Sequence, residues 1–203
     1  MSKILIFGTS GIGKTTLAKH LSETLDIPFI NGSSSVLWDK YTISCHNDLL
    51  KMNVINPEIG LRFQYDLLHY RNELLQGLTS YVTDRTIVDN LVYFLFQNAP
   101  YLTDKQVEQY IEACIGSFDT QNKNNKWIFL TRDFYIGDEM PKVPSDGKRI
   151  ENNYFQDVIN DIYDRVLERR MLGLQLTQYG NYLKLRNYNW DARIEKVKNL
   201  LYV

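Results

Sequence analysis

Apolar residues follow two kinds of pattern along the chain, short continuous runs and longer segments with helical spacing. The runs are rich in isoleucine, leucine, valine and aromatic residues, which is typical of strands buried in a parallel sheet. They predict five strands, at residues 4–7, 28–30, 80–83, 127–130 and 182–185. Between them, apolar residues recur three or four positions apart, the spacing of a helix that buries one face. The order of these elements predicts an α/β protein.

The helical spacing predicts helices at residues 14–25, 57–77, 86–97, 103–117, 154–172 and 191–201. The second of these has a strong start, because Asn56 can cap it, Pro57 suits the first turn, and Glu58 lies near the positive end of the helix dipole. The side chains expected to face the core are Leu17, Leu21, Leu25, Leu67, Leu68, Leu74, Leu75, Val107, Tyr110, Ile111, Cys114, Ile115, Val158, Ile162 and Val166.

Residues 8–15 fit the pattern G-x-x-x-x-G-K-[ST], between the first predicted strand and the first predicted helix. Glycines let successive N–H groups turn inward around anionic oxygens, and the helix adds the positive end of its dipole. Lys14 would reach the β- and γ-phosphates of a nucleotide, and the Thr15 hydroxyl would bind Mg²⁺. A glycine-rich turn without a ligand is the alternative, but the strand–loop–helix context favours phosphate binding. The residues assigned to this loop are Gly8, Thr9, Ser10, Gly11, Ile12, Gly13, Lys14, Thr15 and Thr16.

The third predicted strand is followed by Asp84 and Arg85. A carboxylate at this strand end would lie beside the phosphate loop, where P-loop proteins hold Mg²⁺. Arg85 would point at the same cleft and neutralise charge on a phosphate or a transferring phosphoryl group. Asp84 could instead only cap the helix that follows. We favour the metal-binding interpretation, because the carboxylate that a phosphate loop needs is otherwise missing.

The segment at residues 31–79 is expected to contain the acceptor pocket, because it starts at the carboxyl end of a strand, where open α/β sheets bind ligands. Its candidate acceptor-binding residues are Asp39, Arg62, Gln64 and Arg71. Asp39 is a candidate catalytic base or hydroxyl-binding carboxylate, and a solvated turn aspartate is the favoured alternative. Each of the other three also fits an ordinary surface position.

Residues 132–153 are expected to form a lid. Glycines and prolines interrupt any regular element there, and a long irregular stretch inside a compact domain is usually functional or disordered. A basic lid would exclude water and stabilise the transferring charge. A solvated loop is the alternative. The cations in this segment are Arg132, which we assign to ATP binding, Lys142 and Lys148, which we assign to acceptor binding, and Arg149, which we assign to catalysis.

Length and composition predict a single domain over residues 1–203, with 44% hydrophobic residues and a formal net charge of −1. This balance gives no general attraction to nucleic acid or to an anionic membrane. Cys45 and Cys114 are not spaced as metal ligands, and the three histidines form no cluster, so no zinc site is expected. With no signal peptide and no long apolar span, we expect a cytoplasmic protein without a membrane partner. The oligomeric state stays open, and a dimer is one option.

These motifs resemble those of P-loop kinases that act on nucleosides and nucleotides. The phosphate loop, Asp84 with Arg85, Arg132 after the fourth strand and a basic lid recur in that order over nearly the whole chain. The runs at residues 83–90 and 146–149 are similar to kinase-like AAA domains related to ribosylnicotinamide kinase, which many phage proteins share.

Two features are also similar to other nucleoside and nucleotide kinases. Residues 62–64, followed by a helix and then Asp84 and Arg85, are similar to deoxynucleoside kinases, where the glutamine that matches Gln64 holds the base. Those enzymes usually have glutamate before the arginine, so Asp84 is closer to thymidylate kinases.

The resemblance implies a P-loop fold with a doubly wound, five-stranded parallel sheet in the order 2-3-1-4-5, and helices on both faces. Mg·ATP would lie on the phosphate loop. Adenine would lie between Arg132 and the loop at residues 187–189, with Asn187 as its candidate contact. The acceptor, a nucleoside or nucleotide, would enter over residues 31–79.

The resemblance also implies roles in phosphoryl transfer. Lys14, Arg85 and the lid cation Arg149 would stabilise the transferring group, while Thr15 and Asp84 manage the magnesium. The residue that takes the acceptor proton stays open between Asp84 and Asp39.

Other classes of P-loop protein have different sequence motifs. A GTPase needs Asn-Lys-x-Asp, and residues 122–125 lack the aspartate. A motor or AAA-type ATPase typically has glutamate after the strand aspartate, where this chain has Arg85, but a P-loop ATPase without an acceptor remains the second alternative. The first alternative is a kinase acting on nucleic acid, at a 5′ end or a hydroxymethylated base of phage DNA. Arg62, Arg71 and Lys142 could form a narrow groove for it.

Overall fold

A computed structural model describes residues 2–121, 125–131, 153–168, 181–186 and 189–201. The strands of its sheet are β1 (Lys3–Gly8), β2 (Phe29–Ile30), β3 (Tyr81–Thr83), β4 (Asn125–Leu130) and β5 (Tyr182–Leu185). They form one sheet in the order β2-β3-β1-β4-β5, and every neighbouring pair is parallel. The predicted strands and the predicted strand order are therefore confirmed.

Seven α-helices lie within the described residues. They are α1 (Lys14–Leu25), α2 (His46–Ile55), α3 (Pro57–Leu75), α4 (Ile87–Gln97), α5 (Asp104–Gln121), α6 (Asn153–Glu168) and α7 (Trp190–Leu201). Short 3₁₀ turns occupy Ser34–Leu37, Asp39–Tyr41 and Ala99–Tyr101. In this described part of the chain, no helix combines the length and the apolar character that a membrane crossing requires.

The sheet is covered by helices on both faces. Successive side chains of a strand point to opposite faces, so Leu5 and Phe7 of β1 pack in one cluster with side chains of α3, α4, α5 and α6. Ile4 and Ile6 pack in a second cluster with α1 and α7. Burial on both faces explains the unbroken apolar run of β1. The arrangement is the doubly wound sheet that was expected.

The segment between β2 and β3 has a small apolar core of its own. Its buried members are Trp38, Ile43, Leu49, Phe63 and Leu67. The sequence did not predict α2, which begins where the Asp48 carboxylate accepts hydrogen bonds from the backbone N–H groups of Ser44 and Cys45, at 3.1 and 3.3 Å. A hydrogen bond from the Ser44 hydroxyl, followed by the one from the Ser44 backbone N–H, lowers the pKa of Asp48. The local core supports α3, which carries three of the predicted acceptor residues, Arg62, Gln64 and Arg71.

Three predicted boundaries are wrong by two residues or more. Helix α5 ends at Gln121 rather than at residue 117, and its added turn buries Phe118 in the core. Strand β4 begins at Asn125 rather than at residue 127, because Asn125 and Lys126 pair with Lys3 and Ile4 through backbone bonds that do not depend on apolar side chains. Helix α3 ends at Leu75 instead of residue 77, and Gly77 follows with φ of 76°, a left-handed conformation that suits glycine after a helix.

The buried face of α6 is rotated from the predicted one. Ile162 and Val166 pack only partly buried against the core, and Val158 is also half-buried. Ile159 and Tyr163 are fully buried instead. The apolar spacing missed this face because it contains polar residues that bond inside the protein, such as Asn160, which accepts a hydrogen bond from Thr131 Oγ1 at 2.9 Å.

Candidate active site

The phosphate loop connects β1 to α1 and depends on its glycines. Gly8, Gly11 and Gly13 have φ values of 137°, 75° and 91°, a region that other residues rarely adopt. A Cβ on Gly8 would lie 2.1 Å from the carbonyl oxygen of Leu130 in β4, so only glycine fits between these strands. The loop thus ends at the N-terminus of α1 with backbone N–H groups available for anion binding.

Lys14 folds back over this loop. It is buried, and its Nζ donates hydrogen bonds to the carbonyl oxygens of Gly8 at 2.7 Å and Thr9 at 2.5 Å. Its ammonium group therefore lies against the backbone of the loop. This position fits the predicted role of Lys14 in binding phosphate oxygens.

Thr15 and Asp84 lie together, as expected of a magnesium site. The Thr15 hydroxyl donates to Asp84 Oδ2 at 2.5 Å, which links α1 to the end of β3. Asp84 is only 4% exposed, and its Oδ1 is buried with no hydrogen-bond partner among the described residues. A buried carboxylate oxygen without a partner is costly unless it binds a cation. The donor set of a hydroxyl and a carboxylate therefore fits Mg²⁺, which takes oxygen ligands.

Arg85 and Arg71 both lie beside Gly32. A Cβ on Gly32 would lie 2.8 Å from Arg85 Cβ and 3.6 Å from Arg71 Nε. Arg71 donates to the Gly32 carbonyl oxygen at 2.9 Å and also to Asn90 Oδ1. Burial lowers the pKa of Arg71. Burial acts in the same direction on Arg85 and is the largest single effect there, but the charges of Asp89, Tyr93, Asp84 and Tyr163 together outweigh it and raise the pKa of Arg85.

Asp89 is a buried junction that the sequence analysis did not single out. Its Oδ2 accepts from the backbone N–H of Thr86 at 2.6 Å, and its Oδ1 accepts from the Tyr163 hydroxyl at 2.6 Å and from the Gly8 N–H at 3.4 Å. It therefore ties α4 to α6 and to the phosphate loop. The signal in the sequence was Thr86 three residues before an acidic residue, the pattern of a capping box at a helix start.

A pocket opens between the phosphate loop, α3 and α4. The empty space inside it, counted out to open solvent, is about 470 Å³. Its lining residues are Ser10, Ser34, His46, Leu49, Phe63, Gln64, Leu67, Arg71, Arg85, Asp89, Asn90, Tyr93 and Gln97. We call it the acceptor pocket.

The structure brings two of the four acceptor residues predicted within residues 31–79 into this pocket. Gln64 and Arg71 are seven positions apart on α3 and share its buried face. Arg62 is exposed and does not line the pocket, because two positions along a helix turn a side chain by roughly 200°. Asp39 is also exposed and outside the lining.

Several predicted residues lie outside the described part of the chain. They are Arg132, Lys142, Lys148, Arg149 and Asn187, together with all but the last residue of the expected lid at residues 132–153. Their roles stay predictions.

Arg193 on α7 is a neighbour of the phosphate loop that the sequence analysis missed. Its Nη1 donates to the carbonyl oxygen of Ile12 at 3.1 Å, and a Cβ on Gly13 would lie 3.2 Å from that nitrogen. Burial lowers the pKa of Arg193. No sequence pattern marks this contact, because 181 positions separate Arg193 from Ile12.

The parallel sheet, the glycine loop after β1 and the Thr15–Asp84 pair together define a P-loop fold. Residues 3–174 match a family model described as an AAA domain, and the chain belongs to that family. A comparison with curated proteins finds no match.

Solved structures of similar fold include several kinases. Deoxyadenosine kinase from M. mycoides with bound dATP is 17% identical, with a TM-score of 0.65 and full coverage of both chains. Thymidylate kinase from Candida albicans is 16% identical, with a TM-score of 0.57 over 99% of this chain and 91% of that chain. NadR protein in complex with NR is 13% identical, with a TM-score of 0.59 over 93% of this chain and 46% of that chain. The resemblance to P-loop nucleoside and nucleotide kinases is therefore confirmed at the level of the fold.

Proposed function

We propose that the protein transfers the γ-phosphate of Mg·ATP to a nucleoside or a nucleotide. The observation that carries this proposal is the position of the acceptor pocket. Its lining includes Ser10 of the phosphate loop and Arg85, the neighbour of the candidate magnesium ligand Asp84. A P-loop ATPase that only hydrolyses ATP needs no such pocket. The kinase fold of the similar structures supports the same interpretation.

On the ATP side, Lys14 would exchange the carbonyl oxygens that it now contacts for oxygens of the β- and γ-phosphates. Mg²⁺ would be held by the Thr15 hydroxyl and the Asp84 carboxylate, whose Oδ1 is the buried oxygen without a protein partner. When bound, the metal would neutralise the charge on the phosphate oxygens. The charges of Lys14 and Arg85 would then stabilise the transferring phosphoryl group.

On the acceptor side, Gln64 is suited to recognise a base. Its Nε2 donates to Asn98 Oδ1 at 2.9 Å, which fixes the amide, and its Oε1 is buried with no partner in the described structure. A fixed amide with one free polar atom in a pocket gives specificity, because a ligand that fails to pair with it leaves it unsatisfied. We further propose that lid cations, including Arg149, stabilise the transferring phosphoryl group. Arg132 or Asn187 would contact the adenine of ATP.

Transfer of label from [γ-³²P]ATP tests the proposal. The acceptor panel holds nucleosides, nucleoside monophosphates, ribosylnicotinamide, and DNA with and without hydroxymethylated bases. We expect label on a nucleoside or a nucleotide, and at least a 100-fold lower rate for Lys14→Met. The matched control is Lys19→Met, an exposed lysine on the same helix, which should leave the rate unchanged.

The other outcomes separate the alternatives. Label on DNA would assign the enzyme to nucleic acid and contradict a small acceptor. Free phosphate as the sole product, with every acceptor at high concentration, would make the protein an ATPase.

A further inference from the structure

Two arginine side chains, Arg71 and Arg85, line the acceptor pocket, and no carboxylate of the described residues contacts either of them. Arg71 is 6% exposed, and its guanidinium bonds to neutral oxygens, those of Gly32 at 2.9 Å, Thr86 at 3.5 Å and Asn90. Arg85 donates to a backbone oxygen at 3.2 Å. In the described residues, neither guanidinium has a carboxylate oxygen within 4.0 Å. Arginine keeps its proton in proteins, so two positive charges face this pocket.

The one acidic residue in the described lining does not pair with these arginines. The Asp89 carboxylate accepts hydrogen bonds from Thr86, from the Tyr163 hydroxyl and from the Gly8 N–H. Its charge reaches both arginines only from beyond 4.0 Å. A buried charge without a bonded counter-ion is costly, and an anionic ligand would remove that cost.

The same lining has no carboxylate free to accept a proton. A hydroxyl acceptor must lose its proton during transfer, and a positioned base normally takes it. Asp89 is fully bonded, Asp84 belongs to the proposed magnesium site, and Asp39 is exposed and outside the pocket. A phosphate monoester needs no such base, because its second pKa is about 6 and its oxygens are ionised at neutral pH.

We propose that the acceptor is a nucleoside 5′-monophosphate and that Arg71 and Arg85 bind its phosphate. This inference rests on the proposed kinase function and narrows it to one substrate class. An anionic oxygen of the monophosphate attacks the γ-phosphorus of ATP and forms a new P–O bond. The bond from the γ-phosphorus to its bridging oxygen breaks, and ADP leaves with that electron pair. A dianionic monophosphate and ATP⁴⁻ give a nucleoside diphosphate³⁻ and ADP³⁻, so no proton is transferred.

The first test compares each nucleoside with its own 5′-monophosphate in the labelled ATP assay. We expect labelled nucleoside diphosphate, with a kcat/KM at least 100-fold above that of the matching nucleoside. Label on nucleosides, with monophosphates inert, would overturn this inference and leave the kinase function intact. Label on no acceptor, with free phosphate released, would overturn the kinase function and this inference with it.

Asn90→Asp tests the role of the arginine charge in a protein that should still fold. The new carboxylate would lie against the Arg71 guanidinium, and the Tyr110 hydroxyl, 3.5 Å from Asn90 Nδ2, could donate to it. We expect the melting temperature to hold or rise, the KM of the monophosphate to rise at least tenfold, and the KM of ATP to stay constant.

Asn47→Asp is the control, because it adds the same charge at an exposed position beside His46 of the pocket lining. It should leave the KM of the monophosphate unchanged. If the KM of the monophosphate is also unchanged in Asn90→Asp, Arg71 does not bind the phosphate. Arg71→Met should show the same rise in KM as Asn90→Asp where it folds.

Discussion

Among single residues, Tyr163 links α6 to both Asp89 and the phosphate loop. Its hydroxyl lies 2.6 Å from Asp89 Oδ1 and 3.2 Å from the carbonyl oxygen of Gly8, while its ring packs against Phe7 and Phe129. Burial raises the pKa of Tyr163 well above its ordinary value, so the hydroxyl stays a donor at neutral pH. One phenolic hydrogen thus helps to satisfy a buried carboxylate beside the loop.

We predict that Tyr163→Phe lowers the free energy of unfolding by about 1–3 kcal/mol, because Asp89 loses a hydrogen bond to a charged, buried oxygen while the ring contacts remain. Urea unfolding measures this change. Tyr65→Phe is the control: that ring is half-buried in the same cluster, and its hydroxyl makes none of the described hydrogen bonds, so a change below about 0.5 kcal/mol is expected. Equal losses in the two variants would contradict the role assigned to the Tyr163 hydroxyl.

Gln64 allows a prediction about acceptor recognition. Gln64→Leu keeps the size of the side chain but removes the amide that faces the pocket, so we expect the KM of the acceptor to rise roughly tenfold or more, with the KM of ATP unchanged. Steady-state kinetics with either substrate varied give both values. Gln109→Leu, an exposed amide on α5, should change neither. An unaltered acceptor KM in Gln64→Leu would exclude this amide from recognition.

At the scale of elements, α7 supports the phosphate loop from outside the sheet. We predict that Arg193→Met weakens binding of a non-hydrolysable Mg·ATP analogue by about five- to tenfold, because the loop loses the bond to the Ile12 carbonyl that holds it against α7. Isothermal titration calorimetry measures this affinity. Lys198→Met, an exposed cation on the same helix, should bind the analogue as the wild type does. The same affinity in both variants would show that the contact does not order the loop.

The elements differ in how far the sequence could predict them. The strands of the sheet centre and α1 were predicted closely, because burial on both faces and a contiguous motif leave local marks. Helix α2 was missed, since its start depends on one side chain that caps two backbone groups. The face of α6 was rotated because buried polar residues there bond to other elements, which no periodicity of apolar residues records.

At the scale of the whole molecule, the parts of the candidate site that are close together in the sequence could be predicted, and the parts that only the fold brings together could not. The phosphate loop lies within nine consecutive residues, and Asp84 was found from its place after a strand. The acceptor pocket joins Ser10 of the phosphate loop, Ser34 and Arg85 with residues of α2, α3 and α4, so its lining followed only from the fold. Arg62 and Gln64 were equal candidates in the sequence, and the helix orientation separated them.

The core of the molecule also sets how its stability responds to alkali, through Cys114 on α5. Burial raises the pKa of its thiol from 9.0 to about 12. The folded state therefore keeps this proton longer than the unfolded state does, so stability is full below pH 9 and falls as the pH rises from 9 towards 12. We predict that the stability advantage of the wild type over Cys114→Ala is constant below pH 8 and shrinks above pH 9, by up to about 1.4 kcal/mol per pH unit. Taking the difference cancels the buried tyrosines, which both proteins share. Urea unfolding at intervals from pH 7 to pH 10.5 measures it, and a difference that stays constant to pH 10.5 would contradict a thiol held neutral by burial.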